Sequence, residues 1–208
     1  QYLSLRRSAY SPIEKSIEEP KHRDKTLIML LSNYKPRWAS DFNEIKTQLI
    51  VVNQGLDISI EHVGSTSITH LMAKPIIDID LIYSNQNDFE KIRENLACVG
   101  YSHVGDQGIS GREVFKRKGA ITKNNTLDSI RHHLYVCHES NPEFKRHLLF
   151  RDALRSNPQL REEYQQLKLK LAVKANQDKK LYADLKEKEA INFFESFFQI
   201  EKTNHEYS

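Results

Sequence analysis

The sequence is poor in cysteine, with only Cys98 and Cys137 among its 208 residues. Two cysteines this far apart do not form the disulfide framework of a small secreted domain. They also lack the close spacing of a cysteine pair that binds a metal. The composition therefore predicts a protein of a reducing compartment, and we expect it in the cytoplasm.

Long apolar runs are also lacking. None approaches the roughly 20 residues needed to span a bilayer, and residues 1–7 have no apolar core of a secretory signal. Neither a membrane-spanning segment nor secretion is expected. The excess of positive charge is small, +3 at pH 7, and the basic residues are interspersed with acidic ones. This balance permits an anionic ligand but does not indicate binding to nucleic acid.

The apolar pattern predicts an α+β fold, with a mixed sheet flanked by helices and followed by a helical segment. Strands are predicted at residues 58–63, 76–83, 112–117 and 132–137. Helices are predicted at residues 38–50, 89–99, 144–154, 160–175 and 181–198. We expect three parts: an N-terminal arm at 1–24, an α/β core at 25–140, and a helical region at 141–208 packed on the core.

Two sequence features, about a dozen residues apart, are candidates for binding phosphate and metal. The first is a strand end followed by Gly64-Ser65-Thr66-Ser67, where glycine permits close backbone approach and the amides and hydroxyls that follow form an anion site. The second is Asp78-Ile79-Asp80 within an apolar strand, which projects both carboxylates from one face. Two carboxylates this close repel unless a cation or a proton compensates. Mg²⁺ is the natural partner, because it takes oxygen ligands and bridges to substrate phosphates.

Each feature also has a plain structural interpretation. A Gly-Ser-Thr-Ser sequence is often only a capped turn, and two acids in a strand often lie on a solvated face. The apolar neighbours Ile77, Ile79 and Leu81 argue against a fully solvated strand. The combination is more specific than either feature and predicts metal-assisted phosphoryl or nucleotidyl transfer.

The same residues closely resemble the GrpB-like family of the nucleotidyltransferase superfamily. The resemblance extends over roughly residues 34–198. It is carried by IEHVGSTS at 60–67, AKPIIDI at 73–79, HHLYV at 132–136, RHLLFRD at 146–152, and the Tyr–Lys pairs at 164/168 and 182/186. It implies a nucleotidyltransferase-like fold. Related domains occur fused to dephospho-coenzyme A kinase.

The resemblance also assigns roles by position. Gly64 and Ser65 would hold a triphosphate, and Asp78 and Asp80 would bind Mg²⁺. In the hypothesis of a nucleotidyltransferase, Ser67 would also hold the phosphate chain. Active members of the superfamily place a third acid on a later strand. In this sequence, the strand at 132–137 carries His133 and Tyr135 instead, and Glu139 follows it. We therefore expect His133, or alternatively Glu139, to activate the acceptor.

Several secondary candidates have two interpretations each. His62 is either a site residue or a structural hydrogen-bonding residue, and Lys74 either neutralises a phosphate or is an ordinary exposed lysine. His132 and His133 are adjacent on a strand, so only one can face the cleft, and His133 shares its face with Tyr135. Further phosphate candidates are Arg112, Lys116, Arg146 and Arg151, of which Arg151 equally forms a structural pair with Asp152. The run at 186–189 is interpreted as a solvated helical face, and no spacing indicates a zinc site.

Three functions follow from these features. The first is a Mg²⁺-dependent nucleotidyltransferase that moves a nucleoside monophosphate from a nucleoside triphosphate to an unknown acceptor. The second is a catalytically degenerate module that binds a nucleotide or a coenzyme A-like ligand, as the missing third carboxylate favours. The third is RNA binding by the helical tail, which the sparse mixing of aromatic and basic residues makes unlikely.

Overall fold

A five-stranded mixed sheet forms the centre of the protein, described here from a computed structural model that covers residues 30–117, 124–176 and 178–206. Its strands are β1 Ile58–Val63, β2 Ile77–Tyr83, β3 Tyr101–His103, β4 Arg112–Arg117 and β5 His132–His138. Their order across the sheet is β1-β2-β5-β4-β3, in which β2 and β5 are parallel and the other pairs antiparallel. The arm predicted at residues 1–24 lies outside the described residues.

Helices flank this sheet and follow it. In chain order they are α1 Arg37–Val52, α2 Phe89–Cys98, α3 Asn125–Ser129, α4 Pro142–Ser156, α5 Pro158–Lys174 and α6 Lys179–Glu206. The N-caps of α4 and α5 are Asn141 and Asn157, each of which accepts a backbone N–H, and each is followed by proline at the first helical position. Across the described ranges, no helix is long and apolar enough to cross a bilayer.

The predicted α+β class is confirmed, including the mixed sheet and the helical segment after it. The four strands expected from the sequence are present within a residue of their predicted bounds. Two elements were not predicted, namely β3 and α3. They span three and five residues, which is too short for an apolar period to be recognised.

The two faces of the sheet differ in polarity because β2 alternates. Ile77, Ile79 and Leu81 are fully buried on one face, in the main apolar core with residues of α1 and α2. Asp78 and Asp80 therefore project from the other face. Since β5 runs parallel to β2 in register, it places His133 beside Asp78 and Tyr135 beside Asp80. The result is one apolar face and one face that carries polar side chains.

Helices α4 and α5 are bound to the polar side of the sheet and to the segment that connects β1 to β2. From α4, Arg151 Nη1 donates to the Glu61 carboxylate at 2.6 Å and to the backbone oxygen of His62 at 3.2 Å. Arg155 donates to the backbone oxygen of Ser67. From α5, Gln165 accepts the backbone N–H of Met72 at 3.0 Å. These polar bonds fix the helices over the carboxylate-bearing face.

We expect Arg151→Gln to lower the free energy of unfolding by about 1–3 kcal/mol, because a charged group in a poorly solvated interface loses its partner. The Arg151 side chain is only 12% exposed, whereas Arg93 is 48% exposed in its pair with Glu90 within α2. The matched variant Arg93→Gln should therefore cost less than about 1 kcal/mol. Urea unfolding of both variants is the measurement, and equal small losses would contradict a role for Arg151 in docking α4.

Candidate functional site

A cavity of about 440 Å³ lies between the polar face of the sheet and the C-terminal helices. The sheet and the turn after β1 contribute Gly64, Ser65, Asp78, Arg112, His133 and Tyr135. The helices contribute Arg146, His147, Tyr164, Lys168, Tyr182 and Lys186. The cavity thus collects residues from seven separate stretches of sequence.

The turn after β1 brings its backbone against Asp78. Gly64 has φ 69° and ψ −173°, a conformation that is essentially restricted to glycine. A Cβ atom at this position would also collide with Asp78 Oδ2. The Tyr164 hydroxyl on α5 forms a hydrogen bond with the Ser65 side chain. The predicted Gly64-Ser65 turn therefore lies directly beside one of the two predicted carboxylates.

Ser67 has a different position from the one predicted. Its hydroxyl donates to the backbone oxygen of Gly64 at 2.6 Å, the residue is buried, and it does not line the cavity. The side chain therefore stabilises the turn from within, since its proton is already donated to the backbone. Of the three predicted phosphate-holding residues of this turn, the structure brings Gly64 and Ser65 to the cavity.

Each of the two aspartates is paired with a histidine. His133 Nδ1 donates to Asp78 Oδ1 at 2.9 Å, and His147 Nδ1 donates to Asp80 Oδ2 at 2.8 Å. Burial favours a raised pKa for Asp78, but the hydrogen bond and charge of His133 outweigh it and lower the pKa. Asp80 is fully buried, and burial raises its pKa despite the bond from His147. The two carboxylates thus lie in different electrostatic environments.

Three buried polar atoms among the described residues have no hydrogen-bond partner, and all belong to this region: Asp80 Oδ1, Arg112 Nε and the Tyr182 hydroxyl. Unsatisfied buried polar atoms are rare in native proteins and require an explanation. A bound ligand with both anionic and donor groups would satisfy them. Arg112 also stacks over Tyr135, with its guanidinium carbon 4.8 Å from the ring centroid.

The carboxylates fit a Mg²⁺ ion by their chemistry. Asp78 lies at the cavity, and Asp80 Oδ1 is an unpartnered buried oxygen. Within the described ranges, no group of three or more His, Cys, Asp or Glu residues is arranged to hold a metal. This does not conflict with Mg²⁺, which is commonly held by one or two carboxylates together with substrate phosphates.

The other predicted candidates divide between the cavity and the structural framework. Lys74 lines the cavity, while its Nζ donates to the backbone oxygen of Lys179 at 3.2 Å. His62 is buried, stacks on Phe42 and bonds to Thr66, so it has the structural role that was one of its two interpretations. Glu139 is exposed beyond the end of β5. It is about 20 Å along the strand from His133, and the structure does not bring it to the cavity.

The four arginine and lysine candidates also divide. Arg112 and Arg146 line the cavity. Arg151 does not, because it pairs with Glu61 and Asp152. Lys116 is exposed on β4 and does not line the cavity.

Sequence reasoning missed residues on α5 and α6 that form much of the helical wall. Tyr164 and Lys168 on α5, and Tyr182 and Lys186 on α6, all line the cavity. The available signal was the repeated Tyr-x-x-x-Lys spacing, because residues four apart share one face of a helix. The run at 186–189 was interpreted as solvated, yet Lys186 and Glu187 both line the cavity.

Comparison with known proteins gives a family match and three notable similarities. The GrpB protein family matches residues 29–196. The YqkA protein of Bacillus subtilis is 37% identical over 139 residues, which are 67% of this chain and 38% of YqkA. The crystal structure of the conserved protein GrpB from Enterococcus faecalis is 30% identical with a TM-score of 0.62, and the match covers 81% of this chain and 99% of that one.

A more distant similarity is to a solved structure of Cid1 in complex with a UTP analogue. The identity is 13% and the TM-score 0.48, over 68% of this chain and 42% of that one. At this level the likeness concerns the fold and carries no inference about function.

We expect Gly64→Ala to destabilise the protein more than Gly55→Ala. Both glycines have positive φ, 69° and 88°, but a Cβ at Gly55 meets nothing within 4 Å, whereas one at Gly64 meets Asp78. Backbone strain costs about 1–3 kcal/mol at such positions, and at Gly64 the collision with Asp78 adds to it. Thermal melting measures the difference between the two variants, and Asp78→Ala should recover part of the loss in Gly64→Ala. Equal losses for the two glycines would contradict the close approach.

We expect stability to fall by about 2 kcal/mol between pH 7.5 and pH 5 because of His62. Burial lowers the pKa of His62 from 6.5 to about 4, so the unfolded chain binds a proton in this range that the folded protein does not. Stability is therefore lost as the pH falls through 6.5. Urea unfolding at both pH values is the measurement, with His62→Gln as the comparison.

The His62→Gln variant should lose less stability over the same range. It will retain part of the loss, because burial also lowers the pKa of His132. An unchanged pH dependence in His62→Gln would show that the His62 ring is not the group responsible.

Proposed function

The chain belongs to the GrpB family, as its motifs predict, and we propose that it is a Mg²⁺-dependent nucleotidyltransferase. The observation that carries this proposal is the Gly64-Ser65 turn beside Asp78 at the edge of a cavity lined with cationic side chains. A nucleoside triphosphate would bind in the cavity. Its nucleoside monophosphate would pass to an acceptor whose identity the site does not define.

The charges on the cavity walls favour a phosphate-bearing ligand. Five lysine and arginine side chains line the cavity: Lys74, Arg112, Arg146, Lys168 and Lys186. Two carboxylates, Asp78 and Glu187, are the acids among its lining residues. The volume of about 440 Å³ lies in the range of small-molecule sites. A polyanion of nucleotide size would therefore be favoured by both charge and volume.

Asp78 and Asp80 would hold the metal in this proposal. When bound, Mg²⁺ would neutralise charge on the phosphate oxygens. The Gly64-Ser65 backbone would bind the phosphate chain by its amides. Arg112 would bind a phosphate oxygen, since its Nε is unsatisfied and its guanidinium is held over the Tyr135 ring.

His133 is the proposed proton acceptor of the reaction. Asp78 fixes the ring by accepting from Nδ1, which leaves Nε2 for the acceptor. The hydroxyl oxygen of the acceptor would form a bond to the α-phosphorus, its proton would pass to His133, and the bond to the departing pyrophosphate would break. The residue is 53% exposed, so an acceptor can reach it.

A second candidate function is binding of a nucleotide or a coenzyme A-like ligand without transfer. The specific observation in its favour is Tyr135, which lies next to Asp80 in the sheet register, on the strand where active members of the superfamily carry a third carboxylate. The carboxylate of Glu187 also lines the cavity, but it is exposed on α6, on the opposite wall. Strand β5 itself carries no carboxylate that could replace the missing acid.

We expect the wild-type protein to bind at least one of ATP, GTP, CTP and UTP more tightly with Mg²⁺ than without it. Asp78→Asn should reduce the Mg²⁺-dependent affinity by about 1.5–3 kcal/mol, roughly 10- to 150-fold, because a charged ligand group is removed. Calorimetric titration measures this, and Asp57→Asn is the matched control because Asp57 is exposed at the opposite end of β1.

Binding of Mg²⁺–nucleotide that is equally tight in an Asp78→Asn, Asp80→Asn double variant would overturn the metal site. Incubation with labelled nucleoside triphosphate and cell extract then separates the two functions. Metal-dependent transfer supports the enzyme, whereas tight binding with no transfer supports the binding module.

A further inference from the structure

Lys168 is a buried lysine with no acidic partner. Its side chain is on α5, the residue is 1% exposed, and its Nζ donates to the backbone oxygen of Met72 and faces the Tyr164 ring. None of the ion pairs formed by the described residues includes it. Lysine is rarely fully buried unless paired, and a buried ammonium without a counter-ion is unfavourable.

Two further lysines line the same cavity. Lys186 on α6 adds its positive charge to the environment of both Lys168 and Lys74. Lys74 lies 4.6 Å from the centre of the Tyr182 ring and bonds to a backbone oxygen rather than to a carboxylate. We call Lys74, Lys168 and Lys186 the lysine cluster. Its members come from three parts of the chain, and all of them line the cavity.

The cluster is unfavourable when all three amines are charged and no anion is present. Burial, and secondly the charge of Lys186, lowers the pKa of Lys168 well below its ordinary value. A bound anion offsets both causes, because its negative charge stabilises the protonated form of Lys168 and weakens the repulsion from Lys186. Binding of an anion and protonation of this amine therefore favour each other.

We propose that the lysine cluster is a polyphosphate site on the helical wall of the cavity, and that Lys168 takes up a proton when the anion binds. The choice of a nucleotide's phosphate chain as the natural occupant rests on the proposed function. The site itself requires neither Mg²⁺ nor transfer. It would hold the departing phosphates, on the side of the cavity formed by α5 and α6.

Other titratable groups face the same space. Tyr164 on α5 and Tyr182 on α6 have pKa values raised by burial, so they keep their protons near neutral pH. Asp78 on β2 has a lowered pKa and stays ionised. The remaining groups on the walls are Glu187, His133, His147, Arg112 and Arg146. All are shared by the wild type and a Lys168 variant, so their contributions cancel in a comparison.

The test is calorimetric titration with inorganic tripolyphosphate at pH 8, without divalent metal, in two buffers of different ionisation enthalpy. The wild type should take up more protons per bound anion than Lys168→Met. The variant should bind about 10- to 100-fold more weakly, because a charge-assisted bond is lost. Lys174→Met, at an exposed position near the end of α5, should match the wild type in both respects.

Methionine is close to lysine in volume and is readily buried, so Lys168→Met should melt no lower than the wild type. Equal proton uptake in the wild type and Lys168→Met, or no binding of tripolyphosphate by the wild type, would overturn the inference. The Asp78→Asn, Asp80→Asn double variant separates it from the proposed function. Retained tripolyphosphate binding with loss of Mg²⁺–nucleotide binding supports both.

Discussion

The burial of two carboxylates on one face of β2 is the constraint on which the rest of the structure depends. Asp78 and Asp80 cannot lie under the C-terminal helices unless each has a partner. His133 on β5 and His147 on α4 supply those partners. The same two bonds therefore give each carboxylate one partner, link β5 to β2 and hold α4 over the sheet.

The cavity is a consequence of this arrangement. The apolar face of the sheet is covered by tightly packed apolar side chains, but the polar face is not. On that side, α4, α5 and α6 leave a space lined by charged and aromatic groups. The connecting segment between β1 and β2 packs tightly instead, with Ile68 and Leu71 fully buried against Leu154 and Tyr164. Tight packing beside the cavity keeps its walls in place.

The residues that the sheet contributes to the site could be predicted from the sequence, because they belong to short local patterns. A glycine before Ser65 and an Asp-x-Asp alternation in an apolar strand require only short-range geometry. The helical half was not accessible in this way. The Tyr-x-x-x-Lys spacing marks Lys168 on α5 but does not show that it is buried, because this burial depends on Met72, which lies 96 residues earlier in the chain.

The sequence by itself determined the α+β class, the family, and which face of β2 carries the two carboxylates, because these follow from side-chain period and residue type. Only the tertiary structure decided that Ser67 stabilises the turn, that Glu139 lies far from the cavity, and that two helices bring lysines to it. The physical reason is that contacts between distant segments depend on how the helices dock on the sheet. Docking is fixed by burial and pairing of groups far apart in the chain, which no local pattern records.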